Sequence, residues 1–148
     1  MEKALTKKVG ELLAFSRYAE TFFTDNAEAL EEVWRKKDIQ QAIESNASFA
    51  KALESVSKEK EVTKTADETM EKLESMESIY LENAEEAAEL LEWLGFVEGA
   101  AAVHARLVSD MAKQGKLTDL AKKAKEIESF HDGMLEAIIS TIGQAEES

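Results

Sequence analysis

One apolar stripe runs through the middle of the chain, with its members three or four residues apart. This spacing places side chains on a single face of an α-helix. No proline interrupts the pattern, because the chain contains none. We therefore predict one long helix over 59–94, about 54 Å long at ~1.5 Å per residue, which packs against other helices. The stripe consists of Val62, Ala66, Thr69, Leu73, Met76, Tyr80, Ala84, Ala87, Leu91 and Leu94.

Helical spacing also predicts helices at both ends of the chain. The first covers 2–23, and the last starts at Thr118 and covers about 119–143. Each has an apolar inner face that would be buried in a bundle. The predicted inner faces are Leu5, Val9, Leu12, Ser16, Ala19 and Phe23 for the first helix, and Leu120, Ala124, Ile127, His131, Met134 and Ile138 for the last.

Capping boxes, in which paired side chains satisfy the free amides of a new helix, predict the boundaries in between. One box places a helix start at about Asn26, and a second places a kink or break near 37–38. Ser57 is the predicted cap of the long helix, although a box at 83–86 would split that helix in two. The first two boxes pair Asp25 with Glu28 and Asp38 with Gln41.

The bulky apolar residues after Leu94 no longer follow the stripe. Their positions are shifted by two residues relative to the stripe, which corresponds to a rotation of about 200° around the helix axis. This shift predicts a turn at Gly95 and a new helix over 96–114 that ends at a left-handed cap on Gly115. The stripe itself would fall on Glu98, Ala101, Ala105 and Val108, whereas the bulky residues are Phe96, Val103, Leu107 and Met111.

These elements predict an all-α fold, an antiparallel bundle of four to five helices with one long central helix, in a single domain over 1–148. Hydrophobic residues make up 44% of the chain and charged residues 33%, which favours a soluble globular protein. Without cysteine there is neither a disulfide nor a thiolate nucleophile, and a reducing cytoplasm fits best. The charged first eight residues predict neither a signal peptide nor an anchor.

The chain is strongly acidic, with a formal net charge of −13. Such a surface repels phosphate backbones and anionic lipids, so we expect neither nucleic acid nor membranes as partners. No lysine or arginine occurs between Lys72 and Arg106, and this acidic segment could steer a basic protein partner.

Two chemical hypotheses rest on the two histidines of the chain. Glu128-x-x-His131 is the pairing with which ferritin-like bundles bind iron or manganese, although a second copy of the motif is absent. His104 resembles the phosphorylated histidine of helical phosphotransfer domains only in lying on a helix, since Leu107 and Val108 replace the expected lysine and glycine. The metal alternative, which includes magnesium, would use Glu128 and His131 with Glu82, Glu86 or Glu89.

A third chemical hypothesis comes from the segment Glu85-Glu86-x-x-Glu89. It resembles the acidic helix motif of the all-α nucleotide pyrophosphatases related to MazG, in which glutamates hold Mg²⁺ against a pyrophosphate. That resemblance implies a nucleotide-hydrolysing activity. The second carboxylate pair of the family, a Glu-x-x-Asp on the next helix, is absent between Glu98 and Asp132.

The leading functional prediction is protein–protein association without catalysis and without a cofactor. On the predicted long helix a second apolar ridge runs beside the stripe, well away from the core direction. Such a ridge is covered either by a fifth helix of the same chain or by a partner, because an exposed apolar ridge marks an interaction surface. For the function we expect a homodimer that buries it. The ridge consists of Ile79, Leu90, Trp93 and Val97.

Overall fold

The chain folds into six α-helices over the described residues, with no strand among them, as a computed structural model shows. The structure describes residues 1–56, 58–84 and 86–147. The all-α prediction is confirmed, but the number of helices exceeds the predicted four to five because one of them is a single turn. The helices are α1 (Lys3–Asp25), α2 (Ala27–Leu30), α3 (Lys36–Val56), α4 (Lys60–Tyr80), α5 (Ala87–Gln114) and α6 (Thr118–Glu147).

Helix α1 is the centre of the bundle, because α3, α4 and α5 all pack against it. Helix α6 packs along α5 and also touches α3, which closes a four-helix arrangement of α1, α3, α6 and α5. Helix α4 packs mainly against α1 on the outside of this arrangement. None of the described helices combines the length and apolar composition that crossing a membrane requires.

The predicted inner faces of α1 and α6 are confirmed. All six predicted residues of α1 are buried, and so are those of α6 except Met134, which is half-buried. The boundaries between α1 and α3 differ from the prediction. Asp25, predicted to cap a new helix together with Glu28, is the last residue of α1, and the Asn26 side chain donates to the Phe22 carbonyl oxygen. Helix α3 begins at Lys36, before the predicted break at 37–38. Ser57 and Glu85 lie outside the described residues.

The continuous helix over 59–94 is wrong, and the alternative break near 83–86 is confirmed, because α4 ends at Tyr80 and α5 begins at Ala87. Helix α4 ends where the Leu81 amide donates to the Glu77 carbonyl oxygen. Helix α5 starts with a capping box in which the Glu86 amide donates to Glu89. The apolar stripe continues in phase across this break, so the pattern alone does not reveal it.

The predicted turn at Gly95 is also wrong, since α5 is continuous through it. The stripe continues along the buried side of α5, where Ala101 and Ala105 are buried, while Phe96 is exposed. The predicted phase shift is an error that arises when the bulkiest side chains are assumed to be the buried ones. Small residues form this part of the core because α5 packs closely against α6.

The left-handed residue after α5 is Lys116, with φ of 61°, and not the predicted Gly115, whose φ is −84°. The Leu117 amide donates to the Ala112 carbonyl oxygen at 2.8 Å, and the Lys116 amide donates to that of Lys113 at 3.1 Å. This pair of bonds is the Schellman arrangement, which satisfies the last carbonyl groups of the helix.

Candidate functional site

A groove opens between α4 and α5, with α1 as its floor, and encloses about 450 Å³. Helix α4 runs parallel to α1, since Thr6 bonds to Glu59 and Tyr18 to Glu77, whereas α5 runs antiparallel. One end of the groove, its apolar end, is lined by Phe15, Leu73, Met76, Trp93, Phe96 and Val97. The opposite, polar end is lined by Lys7, Lys8, Glu11, Thr65, Glu68 and His104.

A hydrogen-bonded chain supports the apolar end of the groove from below. The Trp93 indole donates to the Tyr18 hydroxyl at 2.7 Å, and that hydroxyl donates to the carboxylate of Glu77. Burial contributes most to raising the pKa of the Tyr18 phenol, because it disfavours the charged phenolate. The neighbouring Glu77 carboxylate raises the pKa further, because it disfavours a second negative charge beside it. The chain connects α5, α1 and α4, so it fixes the Trp93 ring in the groove wall.

His104 closes the polar end with both ring nitrogens engaged. Its Nδ1 lies 2.8 Å from the Ala100 carbonyl oxygen, and its Nε2 lies 2.6 Å from Oε2 of Glu11. Both ring nitrogens therefore lie within hydrogen-bond distance of an oxygen atom. Lys8 also reaches Glu11 at 3.4 Å. A phosphotransfer histidine needs a free nitrogen, and in this structure His104 has none.

Four buried polar side chains, one from each of four helices, form a layer across the bundle core. The layer lies where two apolar clusters meet, because on α3 it falls between Ala42 and Phe49, and on α6 between Ile127 and Ile138. Within it, Nδ1 of His131 is bonded to Oε2 of Glu98. One side-chain atom of each member lacks a protein partner. This polar layer consists of Ser16, Asn46, Glu98 and His131.

The outer face of α5 bears an exposed apolar stripe. Phe96 is 63% exposed and Val103 is 59% exposed, although both are large apolar residues. Tyr80, at the end of α4, extends this surface because its ring centroid lies 5.5 Å from that of Phe96. The α5 stripe consists of Phe96, Ala100, Val103 and Leu107, at helical spacing.

The four residues of the predicted interface ridge do not share one surface. Trp93 and Val97 are buried within the chain, and Leu90 is half-buried. Ile79 is 78% exposed and lies on α4, across the break. The ridge was drawn on one continuous helix, and the break at 81–86 separates its members.

The candidate metal ligands are not brought together either. Among the described residues, no three carboxylate or imidazole side chains lie close enough to share one ion. His131 bonds to Glu98 on α5, while Glu128, one turn before it, is half-buried. The other candidates, Glu82, Glu86 and Glu89, are exposed around the break between α4 and α5.

Comparisons with known proteins add no family to this description. No protein-family model matches the chain, and neither a curated protein nor a solved structure is detectably similar to it.

Sequence reasoning missed the residues that define the groove and the exposed stripe. Phe96 was assigned to the core on account of its size, although it falls off the stripe that Leu91 and Leu94 begin. If the stripe is extended at the same spacing beyond Leu94, it places Glu98 on the buried face of the helix and Phe96 on the solvent-exposed face. No comparable signal existed for Tyr18 or Lys7, because their places depend on contacts between distant segments.

Proposed function

We propose that this protein acts through protein–protein association, as a homodimer that pairs through the outer face of α5. The supporting observation is the α5 stripe, in which Phe96 and Val103 are mostly exposed. Water around large apolar side chains is unfavourable, and a contiguous exposed apolar stripe is typical of an interaction surface. A second copy of the chain is the partner that we propose for it.

The spacing of the α5 stripe is self-complementary. Its members are separated by intervals of four, three and four residues, which read the same in both directions. In an antiparallel two-fold pairing, Phe96 therefore faces Leu107 of the second copy, and Ala100 faces Val103. Each pair combines a larger with a smaller side chain, which suits the isologous interface of a two-fold dimer.

Gly99 beside the stripe supports a close approach of another helix. A Cβ atom at Gly99 would meet nothing within 4 Å, so no contact inside the chain requires glycine there. Glycine inside a helix costs about 0.5–1 kcal/mol relative to alanine. A small residue at this position would let the backbone of the second copy approach α5 closely.

The metal alternative has no support in the described residues, because no three carboxylate or imidazole side chains lie close enough to share one ion. A cytoplasmic location belongs to the same proposal, since a chain without cysteine fits a reducing compartment. The glutamates around the break would repel copies that approach there and favour a basic second partner. The dimer would therefore form on the apolar face of α5 and leave the acidic segment in solvent.

Sedimentation equilibrium at micromolar concentration tests the proposed dimer. The double variant Val103→Ser/Leu107→Ser should weaken dimerisation at least about tenfold, or ~1.4 kcal/mol, because it removes apolar area from both copies. Ile139→Ser is the matched control, since Ile139 is 57% exposed on α6 and lies off the stripe. A protein that stays monomeric, or a control that weakens the dimer equally, would contradict the proposal.

A further inference from the structure

The groove changes from polar to apolar in the same direction along α1 and α5, while on α4 Lys72 lies beside Leu73. On α1 the lining passes from Lys8 to Phe15, and on the antiparallel α5 it passes from His104 to Trp93. Packing of a bundle requires apolar residues at the contact, but it does not require this common gradient. A gradient along one groove matches a ligand that is itself charged at one end and apolar at the other.

The charges along the groove are positive on balance, although the chain as a whole is acidic. Lys7, Lys8 and Lys72 line it, against the two carboxylates of Glu11 and Glu68. Glu11 is already engaged by His104 and Lys8. Lys7 has no carboxylate within 4 Å in the part of the chain that the structure describes. An anionic head group is the complement of this end.

We propose that the groove binds a free fatty acid of medium chain length, with its carboxylate near Lys7 and Lys8 and its alkyl chain against Trp93. The volume of about 450 Å³ lies within the range of small-molecule sites, about 300–1,000 Å³. From Thr65 to Met76 the groove extends over eleven residues of α4, or about 16 Å. At the apolar end an alkyl chain would lie against Met76 and Phe96, which are exposed, above the edges of the buried Phe15 and Trp93 rings.

Trp93 provides a direct test, because it lines the groove and the other tryptophan does not. Trp34 stacks on Phe23 and bonds to Thr141, so Trp34→Phe leaves Trp93 as the only reporter. Bromine on an alkyl chain quenches tryptophan emission on contact. Dodecanoate brominated at its terminal carbon should quench most of the emission, saturably and below its micellar concentration. Dodecanoate brominated beside the carboxylate should quench several-fold less.

Charge variants test the head-group end of the groove. Lys7→Gln/Lys8→Gln should weaken binding of the terminally brominated acid about tenfold, because charge-assisted contacts are lost. Lys113→Gln/Lys116→Gln removes the same charge near the end of α5, outside the groove, and should leave the affinity unchanged. The lysines lie off the α5 stripe, and Val103 and Leu107 lie outside the groove, so these variants test ligand binding and dimerisation separately. Phe96 and Ala100 belong to both surfaces and are left unchanged.

Three outcomes would overturn the fatty-acid site. The first is the absence of saturable quenching, and the second is equal quenching by the two brominated acids. The third is quenching by vesicles of brominated phospholipid without quenching by the free acid, which would assign the groove to a membrane surface. Retained affinity in the Lys7→Gln/Lys8→Gln variant would also contradict the proposed position of the carboxylate.

Discussion

At the scale of single residues, Glu98 and His131 are the buried side chains that depend most on each other. Both side chains are 1% exposed, and Oε1 of Glu98 and Nε2 of His131 have no protein partner. Removing a carboxylate from water is costly unless a nearby group compensates. The sequence placed His131 on the inner face of α6 correctly. It could not reveal Glu98 as its partner, because the pairing depends on how α5 packs against α6.

Removing one member of this pair should destabilise the protein strongly. His131→Leu leaves Glu98 buried without a partner, and we expect a loss of about 3–5 kcal/mol in the free energy of unfolding. The double variant Glu98→Met/His131→Leu should recover most of that loss, because two apolar side chains need no partner. Urea unfolding followed by circular dichroism measures both. A double variant that is less stable than the single one would refute the argument.

His104→Leu is the matched comparison for the other histidine of the chain. Its pair with Glu11 is only half-buried, with 20% and 14% of the two side chains exposed. Water can therefore take the place of the lost partner, and the loss of stability should be smaller than for His131→Leu. A loss as large as that of His131→Leu would show that burial does not set the difference.

Because of Tyr18, the free energy of unfolding should decrease when the pH becomes alkaline. The raised pKa of its phenol means that the folded chain keeps a proton that the unfolded chain releases above the ordinary tyrosine pKa of about 10. Stability is therefore complete below that pH and falls as the pH rises above it. Urea midpoints at about pH 9 and 11 should fall further for the native chain than for Tyr18→Phe.

The other tyrosine provides the control for this alkaline effect. Tyr80 is 44% exposed at the end of α4, so Tyr80→Phe removes a phenol that is not enclosed in the core. That variant should retain the alkaline loss of the native chain. Equal slopes for the native chain and Tyr18→Phe would mean that another group causes the loss.

At the scale of helices, the predictions held where a dense stripe coincided with one helix, as in α1 and α6. They failed in the middle of the chain for two separate reasons. The stripe stays in phase from Tyr80 to Ala87, so periodicity predicted one helix there, and only the possible capping box at 83–86 indicated the break. Further along, the size of Phe96 was taken as a sign of burial, whereas the close contact of α5 with α6 selects small residues such as Ala105.

Helix α4 approaches α1 closely at a glycine, and this contact can be tested. A Cβ atom at Gly10 would lie 2.7 Å from Cβ of Thr65 and 2.8 Å from the Val62 carbonyl oxygen. The backbone cannot yield as a flexible side chain would, so Gly10→Ala should cost about 1–3 kcal/mol of stability. Denaturant unfolding measures this cost.

Gly133→Ala is the matched control for this contact. Gly133 lies inside α6, where a Cβ atom would meet nothing within 4 Å. Alanine favours the helix over glycine, so this variant should gain about 0.5–1 kcal/mol. If both alanine variants changed stability in the same direction, the close contact at Gly10 would not be the cause of its effect.

At the scale of the whole molecule, composition and periodicity were sufficient for the all-α class, because long apolar stripes without proline are compatible with little else. They were insufficient for the candidate sites. The groove exists because α4 and α5 both pack on α1 while remaining apart, which is a property of three segments at once. The predicted ridge identified Trp93 as unusual, but its role in the groove wall depends on Tyr18 and on the break that no stripe revealed.

Helix α4 contacts the rest of the bundle mainly through α1 and buries only Val62, Ala66 and Leu73 within the described chain. The other four long helices enclose one another, so they can remain folded while α4 opens. Regions with few buried contacts exchange their amide hydrogens through such partial unfolding, at less cost than the global reaction. We therefore expect α4 to open at a lower free energy than the other long helices, which amide hydrogen exchange would measure. Such an opening would uncover the floor of the groove.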